Sequence, residues 1–431
     1  MDMGKNRSKQ KSIRIKKKKN RNAIAVFMIT FAAVCVAGIA VAAGYSWVNA
    51  GSADRSYSNF RIEEQDESSK LSASDEKQAV TAIRSENNKY ADILADNDYM
   101  VKNHIYAKKA KSSDRIVMTF AGDILFDGHY AVMSRLKQNG GSISDAISPE
   151  LIKLMQDADI MMLNNEFPYS DRGTPTEGKQ YTFRAEPSTA GYLNEMGVDV
   201  VALANNHAYD YGADALADTF TALDKADIPY VGAGNDKQEA QMPTSFIIDN
   251  RKISIIAATQ IERLDNPDTK GATDTSPGVF RCWDDTDLLA DIRSAKKDSD
   301  FVAVYIHWGT ENQEATDWAQ EKQAKEIADA GADLIIGDHP HCLQRIGVED
   351  GVPVVYSMGN FWFNSKTVDT GLIQVTLNND GTDSLRFVPC IQKDCTTSLM
   401  TGDDKTALLA HMRSISAGVS IDDDGNITFA R

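Results

Sequence analysis

Arg115-Ile116-Val117-Met118-Thr119-Phe120-Ala121-Gly122-Asp123 decides the fold. It is a short apolar run, too brief for a buried helix, that stops on a glycine and a carboxylate. The same phrase recurs along the chain. Ile160–Leu163 runs into Asn164-Asn165-Glu166, and Val198–Leu203 into Asn205-Asn206-His207. Phe301–Ile306 runs into His307-Trp308-Gly309, and Leu334–Ile336 into Gly337-Asp338-His339-Pro340-His341. Pro229–Val231, Ile253–Ala257 and Val352–Tyr356 read as further strands, and helical spacing is predicted at 147–157, 188–196, 212–226, 285–297 and 316–331. Strands alternating with helices predict an α/β domain with largely buried strands over 114–431. Leu372–Leu377 and Leu385–Val388 around Asn379-Asp380-Gly381 read as a hairpin, with a last turn and strand at Asp422–Phe429.

The polar residues at the ends of these runs matter because open α/β sheets bind ligands outside the carboxyl ends of their strands. Asp123, Glu166, Asn206, His207, His307, His339 and His341 all sit there, as do four of the seven histidines. Imidazole nitrogens with carboxylate and amide oxygens suit a divalent ion such as Mn, Zn or Fe. Pro340 disfavours helix at His339 and lets two imidazoles converge, and Asp123 or Glu166 could bridge two ions. Each residue alone also has a plain reading: a hydrogen-bonded structural histidine, a loop acid, or Asn206 or Asp210 capping the helix near Gly212. Lys179 and Arg184 would offer positive charge to an anionic substrate, or lie on a solvated strand face. In Ser357-Met358-Gly359-Asn360-Phe361, Gly359 either allows close backbone approach or makes a tight turn. Asp127 and His129 lie near Asp123 but are weaker candidates; His104 and His411 fall outside the pattern. No Gly-x-Ser-x-Gly elbow, P-loop or dinucleotide fingerprint is present.

Composition sets the surroundings. Residues 1–22 hold ten Lys and Arg against one Asp, so the rest is more acidic than the net −16 of the whole chain. Such a domain repels nucleic acid, and no nucleic-acid partner is expected. Ala23–Val48 is uncharged and long enough for a membrane-spanning helix at about 1.5 Å per residue. The basic flank predicts a single-pass cell-membrane protein with a cytoplasmic N-terminus, and Tyr45 and Trp47 suit the interface. A cleaved signal peptide ending near Ala40-Val41-Ala42 is the alternative, although the apolar run exceeds the usual length. Residues 49–113 read as a polar stalk with a helix between about Glu76 and Met100. Cys390 and Cys395 are close enough for a local disulfide, or are free thiols like Cys282 and Cys342.

Phe120-Ala121-Gly122-Asp123, Asn165-Glu166, Ala204-Asn205-Asn206-His207 with Asp210 and Gly212, His307-Trp308-Gly309-Thr310-Glu311, His339-Pro340-His341 with Gln344, and Ser357–Phe361 resemble the CapA (PgsA) family of capsule synthesis proteins. That family is similar to the calcineurin-like metallophosphoesterases, so the resemblance implies a four-layer α/β/β/α sandwich. It implies Asp123, Glu166, Asn206, His307, His339 and His341 as ligands of one or two divalent ions. It implies His207 as general acid or transition-state stabiliser; Asp210 is expected to act with it, and Lys179, Arg184 and Asn360 are expected as substrate contacts. The phosphoesterase Asp-x-His opening becomes Asp123-Ile124-Leu125 here, Glu166 replaces an aspartate, and Asp338 stands where a glycine precedes the first histidine. The implied role is synthesis, export or processing of an anionic envelope polymer of the poly-γ-glutamate type, alongside a membrane-bound amide ligase complex. Alternatives are a phosphoesterase or γ-glutamyl amide hydrolase, and a non-catalytic polymer-binding component.

Overall fold

The computed structural model describes residues 88–261 and 269–429, all within one compact unit. The expected tail 1–22, span 23–48 and most of the stalk lie outside the described residues. No helix among the described residues is long and apolar enough to cross a membrane.

Two large mixed sheets carry the fold. One has seven strands in the order Ile105–Lys108, Thr244–Ile248, Arg251–Thr259, Phe301–His307, Leu334–Asp338, Val352–Val355 and Ile346–Glu349. The other has ten. Its main path runs Val419–Ile421, Asn426–Phe429, Ser384–Lys393, Val368–Asn378, Arg115–Ile124, Ile160–Asn165, Val200–Ala202 and Tyr230–Val231. Asn360–Trp362 pairs parallel to the Arg115–Ile124 strand, and Thr396–Leu399 joins Ser384–Lys393. The expected hairpin is there, with Leu372 opposite Val388 and Val375 opposite Leu385.

Alternation along each strand sorts the side chains into three apolar layers. Met118, Phe120, Ile160 and Met162 from one sheet pack with Ile253, Ile255, Tyr305 and Ile336 from the other. On the outer face of the ten-stranded sheet, Ile124, Met161 and Leu163 meet helices Ala131–Asn139, Pro149–Gln156 and Ala213–Lys225 through Leu136, Met155 and Leu216. On the outer face of the seven-stranded sheet, Val302, Val304 and Ile335 meet helices Thr286–Asp298 and Trp318–Ala330 through Ile292 and Ile327. Helices thus cover the outer faces of two sheets packed on each other.

The boundary expected at 114 falls too late. Ile105–Lys108 pairs in parallel with Thr244–Ile248, and Tyr90, Leu94, Ile105 and Ile247 share a small core, with the Tyr90 hydroxyl donating to Asp300 at 2.7 Å. Of the stretch expected as a stalk helix, the described part forms two short helices, Ala91–Ala95 and Asn97–Lys102, separated by Asp96, whose side chain caps the second; residues 76–87 lie outside the described residues. All four described cysteines are free, so Cys390 and Cys395 form no disulfide. The Tyr181–Arg184 segment is not a strand face; only an isolated bridge between Tyr169 and Ala185 flanks it.

Close backbone approach explains two glycines at the strand ends. A Cβ on Gly122 would sit 1.9 Å from the Gly359 carbonyl oxygen, and one on Gly337 would sit 2.2 Å from the Tyr356 carbonyl oxygen. Both obstacles are backbone, so neither yields cheaply. Gly122→Ala should therefore destabilise the fold by roughly 1–3 kcal/mol, the usual range for overpacking a core. Urea unfolding of the purified protein checks this, and an unchanged midpoint would contradict it.

Candidate metal centre

The carboxyl ends of both sheets meet at one seam, and each supplies part of the site. The ten-stranded sheet brings Asp123 on its central strand, Glu166 just after Ile160–Asn165, and Asn206 and His207 after Val200–Ala202. The seven-stranded sheet brings His307 as the last residue of its strand, then His339 and His341 after Leu334–Asp338. His339 (φ 99°) and His341 (φ 57°) both occupy the left-handed region. Such backbone is costly for a residue with a Cβ and is concentrated at functional sites. The turning backbone expected around Pro340 is present, in this strained form.

Two donor sets converge. Glu166, His307 and His339 offer atoms within 4.8 Å of one another, and so do Asp123, Glu166 and His341. Glu166 belongs to both. His307 Nε2 lies 3.5 Å from Glu166 Oε1, 2.9 Å from Asn206 Oδ1 and 3.1 Å from His339 Nδ1. His341 Nδ1 lies 3.1 Å from Asp123 Oδ2 and 2.9 Å from Asn360 Oδ1. Both oxygens of Glu166 are buried and accept no hydrogen bond. A buried carboxylate without a donor is strongly disfavoured. A divalent cation between the two donor sets is the group that satisfies it, so the residues present fit such an ion.

Electrostatics point the same way. Burial pushes Glu166 well above the ordinary carboxylate range, and the charges of Asp123 and Asp338 push it further. Burial pulls His307 down to about 3 and His339 well below the usual imidazole value, so both present neutral, lone-pair nitrogens. For Asp123, burial raises the carboxyl, but hydrogen bonding and charge from His341 outweigh it and the net shift is down. His341 mirrors this: burial lowers it, and the bond to Asp123 brings it up.

His207 stands beside this cluster as half of a dyad. Its Nδ1 lies 2.7 Å from Asp210 Oδ2, while Asp210 also accepts from the Phe183 backbone N–H at 2.7 Å and from Lys179 at 2.6 Å. Burial lowers the His207 imidazole despite the Asp210 charge. Neither Asn206 nor Asp210 caps the following helix, whose N-cap is Gly212 without a side-chain bond.

Two of the expected substrate contacts, Lys179 and Asn360, are engaged by neighbouring side chains. Lys179 is buried against Asp210 and the Asn206 carbonyl, so it positions the dyad and has no free charge. Arg184 stacks over Tyr211, 4.3 Å from the ring centroid, and donates to the Arg172 carbonyl. Asn360 is at the centre, but holds His341. Asp127 accepts backbone N–H groups from His129 and Arg184, and the His129 side chain is 86% exposed. Leu125 is buried in the outer core with its N–H on the Trp362 carbonyl, so no imidazole enters there.

Four supporting residues carry little signal in the sequence. Asn164 donates to Asp123 at 2.7 Å and lies 3.3 Å from His307 Nδ1, and Asn205 anchors Asn164 at 2.9 Å. Tyr305 Oη lies 2.9 Å from the Ala121 carbonyl and in contact with Asp338 Oδ2. One hydroxyl proton cannot serve two acceptors. The Ala121 carbonyl and Asp338 therefore compete for the Tyr305 proton, and burial with the Asp123 charge raises the Asp338 carboxyl well above its ordinary range. The position that differs from the phosphoesterase pattern thus holds the hydroxyl that joins the two sheets.

The shared carboxylate makes the centre testable. In Mn²⁺ titrations followed by calorimetry, Glu166→Gln should remove binding at both donor sets, whereas Asp123→Asn and His339→Ala should each weaken one. Asn360→Ala, which frees His341, should weaken its set by roughly 10–100-fold, as lost support of a ligand does. Equal effects of Glu166→Gln and His339→Ala would contradict a bridging role.

Residues 117–365 match the family described as Bacterial capsule synthesis protein PGA_cap. The PGA biosynthesis protein CapA of Bacillus subtilis (strain 168) is 29% identical, covering 74% of this chain and 84% of its own length. The capsule biosynthesis protein CapA of Bacillus anthracis is 30% identical, covering 65% of this chain and 68% of its own. A solved structure from Thermus thermophilus aligns with 62% of this chain at 10% identity and a TM-score of 0.34, too distant to add to the layers described above. With more than half of its length matched, and every sequence motif of the centre inside the matched span, the chain belongs to the bacterial capsule synthesis protein family PGA_cap.

Proposed function

We propose that the chain is a metal-dependent hydrolase or transferase that acts on γ-glutamyl amide bonds of a poly-γ-glutamate-type envelope polymer during capsule synthesis. The observation that carries this is Glu166: a buried, unpartnered carboxylate shared by two donor sets, beside the His207–Asp210 dyad. The names of the Bacillus relatives support the polymer class. Residues 23–48 would hold the domain outside the cell membrane, next to an amide ligase complex that makes the polymer.

Asp123, Glu166, Asn206, His307, His339 and His341 would hold one or two ions of Mn, Zn or Fe. When bound, such ions polarise a carbonyl or phosphoryl oxygen and lower the pKa of water. The remaining chemistry falls to the chain. Asp210, fixed by Lys179 and the Phe183 N–H, accepts from His207 Nδ1 and so orients the ring. His207 Nε2, which has no hydrogen-bond partner among the described residues, takes a proton from the attacking water as the carbon–nitrogen bond weakens. It returns that proton to the leaving nitrogen, giving a carboxylic acid and an amine, which exchange a proton to end as carboxylate and ammonium. Polymer binding through Lys179 is disfavoured, because Asp210 holds its charge, which leaves Arg184 as the one expected cation without a carboxylate partner among the described residues.

The test is chain length over time. The full protein with poly-γ-glutamate and Mn²⁺ should shorten the polymer, as read by size-exclusion chromatography. His207→Ala should slow this by about 10²–10⁴-fold while retaining metal. Chelator-sensitive polymer binding without shortening would make the chain a binding component, and turnover of p-nitrophenyl phosphate alone would favour a phosphoester substrate.

A further inference from the structure

Beside His339 and Asn206 the site opens into a cleft of about 460 Å³ whose other walls are Trp283, Trp318 and the loop around Glu311. Both tryptophans are exposed, 47% and 69%, and stand edge to face with centroids 6.4 Å apart at 85°. By contrast Trp308 and Trp362 are fully buried. Trp318 opens helix Trp318–Ala330, a position where the fold gains nothing from a bare indole. Glu311 makes no hydrogen bond or ion pair among the described residues. Its loop is nevertheless built: the Asn312 N–H donates to the Pro340 carbonyl at 2.8 Å, and buried Gln344 donates to the Gln313 carbonyl at 2.9 Å. Glu311 lines the same cleft as His339 and Asn206, which places it beside the centre. Among the described residues no Lys or Arg lines this cleft.

An aromatic pair with one unpaired carboxylate, and no cation among the described residues, is the chemistry that receives a positive charge, not a carboxylate. We infer that this cleft binds a primary ammonium group of the substrate, with Trp283 and Trp318 as its aromatic walls and Glu311 as its counter-ion. The inference rests on the reading of the neighbouring centre as the reacting one. It sets the polarity of the bound chain: the amine end lies in the cleft, and its nearest amide lies toward Glu166 and His339. The ammonium can come from the free α-amine at the amino end of a γ-linked chain or from an alkylamine on another envelope component.

Calorimetry on the full chain with four probes tests this. Cadaverine should bind and glutarate should not. Trp318→Ala and Glu311→Gln should each weaken cadaverine by roughly 3–30-fold, the range for a cation–π or exposed charge contact. γ-Glutamylglutamate should lose affinity on N-acetylation if the polymer's amino end is the source; insensitivity with cadaverine still bound at Trp318 supports the cleft and assigns its ammonium to an alkylamine. Glutarate binding in place of cadaverine, or cadaverine affinity unchanged in both variants, overturns the inference. Glu311 is exposed and bonds to nothing described, so Glu311→Gln keeps the test valid if Trp318→Ala fails to fold. Mn²⁺ binding measured on the same preparations separates the two readings. Amine affinity without metal sinks the centre alone, and metal without amine affinity sinks the cleft alone.

Discussion

Everything around the seam between the sheets depends on one unfavourable burial, that of the Glu166 carboxylate. It sits out of water with no donor, beside the charge of Asp123 and close to Asp338. Removing a carboxylate from water without a partner costs several kcal/mol. Neighbouring residues reduce the burden without cancelling it: Asp123 is matched by His341, and Asp338 accepts from the Tyr305 hydroxyl. Glu166 alone is left with imidazole nitrogens that burial keeps neutral. The chemistry of such a donor set fits a divalent cation.

The fold supplies the rigidity that this arrangement needs. Each sheet contributes only part of the centre, so the sheets must be fixed to each other at their carboxyl ends. Tyr305 does this by reaching from one sheet to the Ala121 carbonyl of the other. Asn164 does it again, from the strand beside Asp123 toward His307. Gly122 and Gly337 let backbone pass where any side chain would collide. The left-handed backbone at His339 and His341 is held in place by this packing, which is how strain persists at a site.

Much of this is legible in the sequence because the signal is positional. Apolar runs ending in Asp, Glu, Asn or His mark both the strands and the ligand set, and the helices at 147–157, 212–226, 285–297 and 316–331 agree with the structure to within about two residues. What escapes lacks such a signal. Ala131–Asn139 buries only Val132, Met133 and Leu136, too few for a periodic stripe. Asn360–Trp362 is three residues long and visible only through its pairing with Asp123 and Ile124. Tyr305 lies inside an apolar strand and reads as core. Lys179 misleads for a physical reason: its charge is real, but an acid thirty-one positions away in sequence consumes it.

The central claim is that Glu166 bridges two cation positions. A crystal grown with Mn²⁺ and measured for anomalous scattering addresses it directly. The account predicts manganese peaks on the two sides of the Glu166 carboxylate, one against His307 and His339 and the other against Asp123 and His341. An anomalous map with no peak at Glu166, at saturating Mn²⁺, would contradict it.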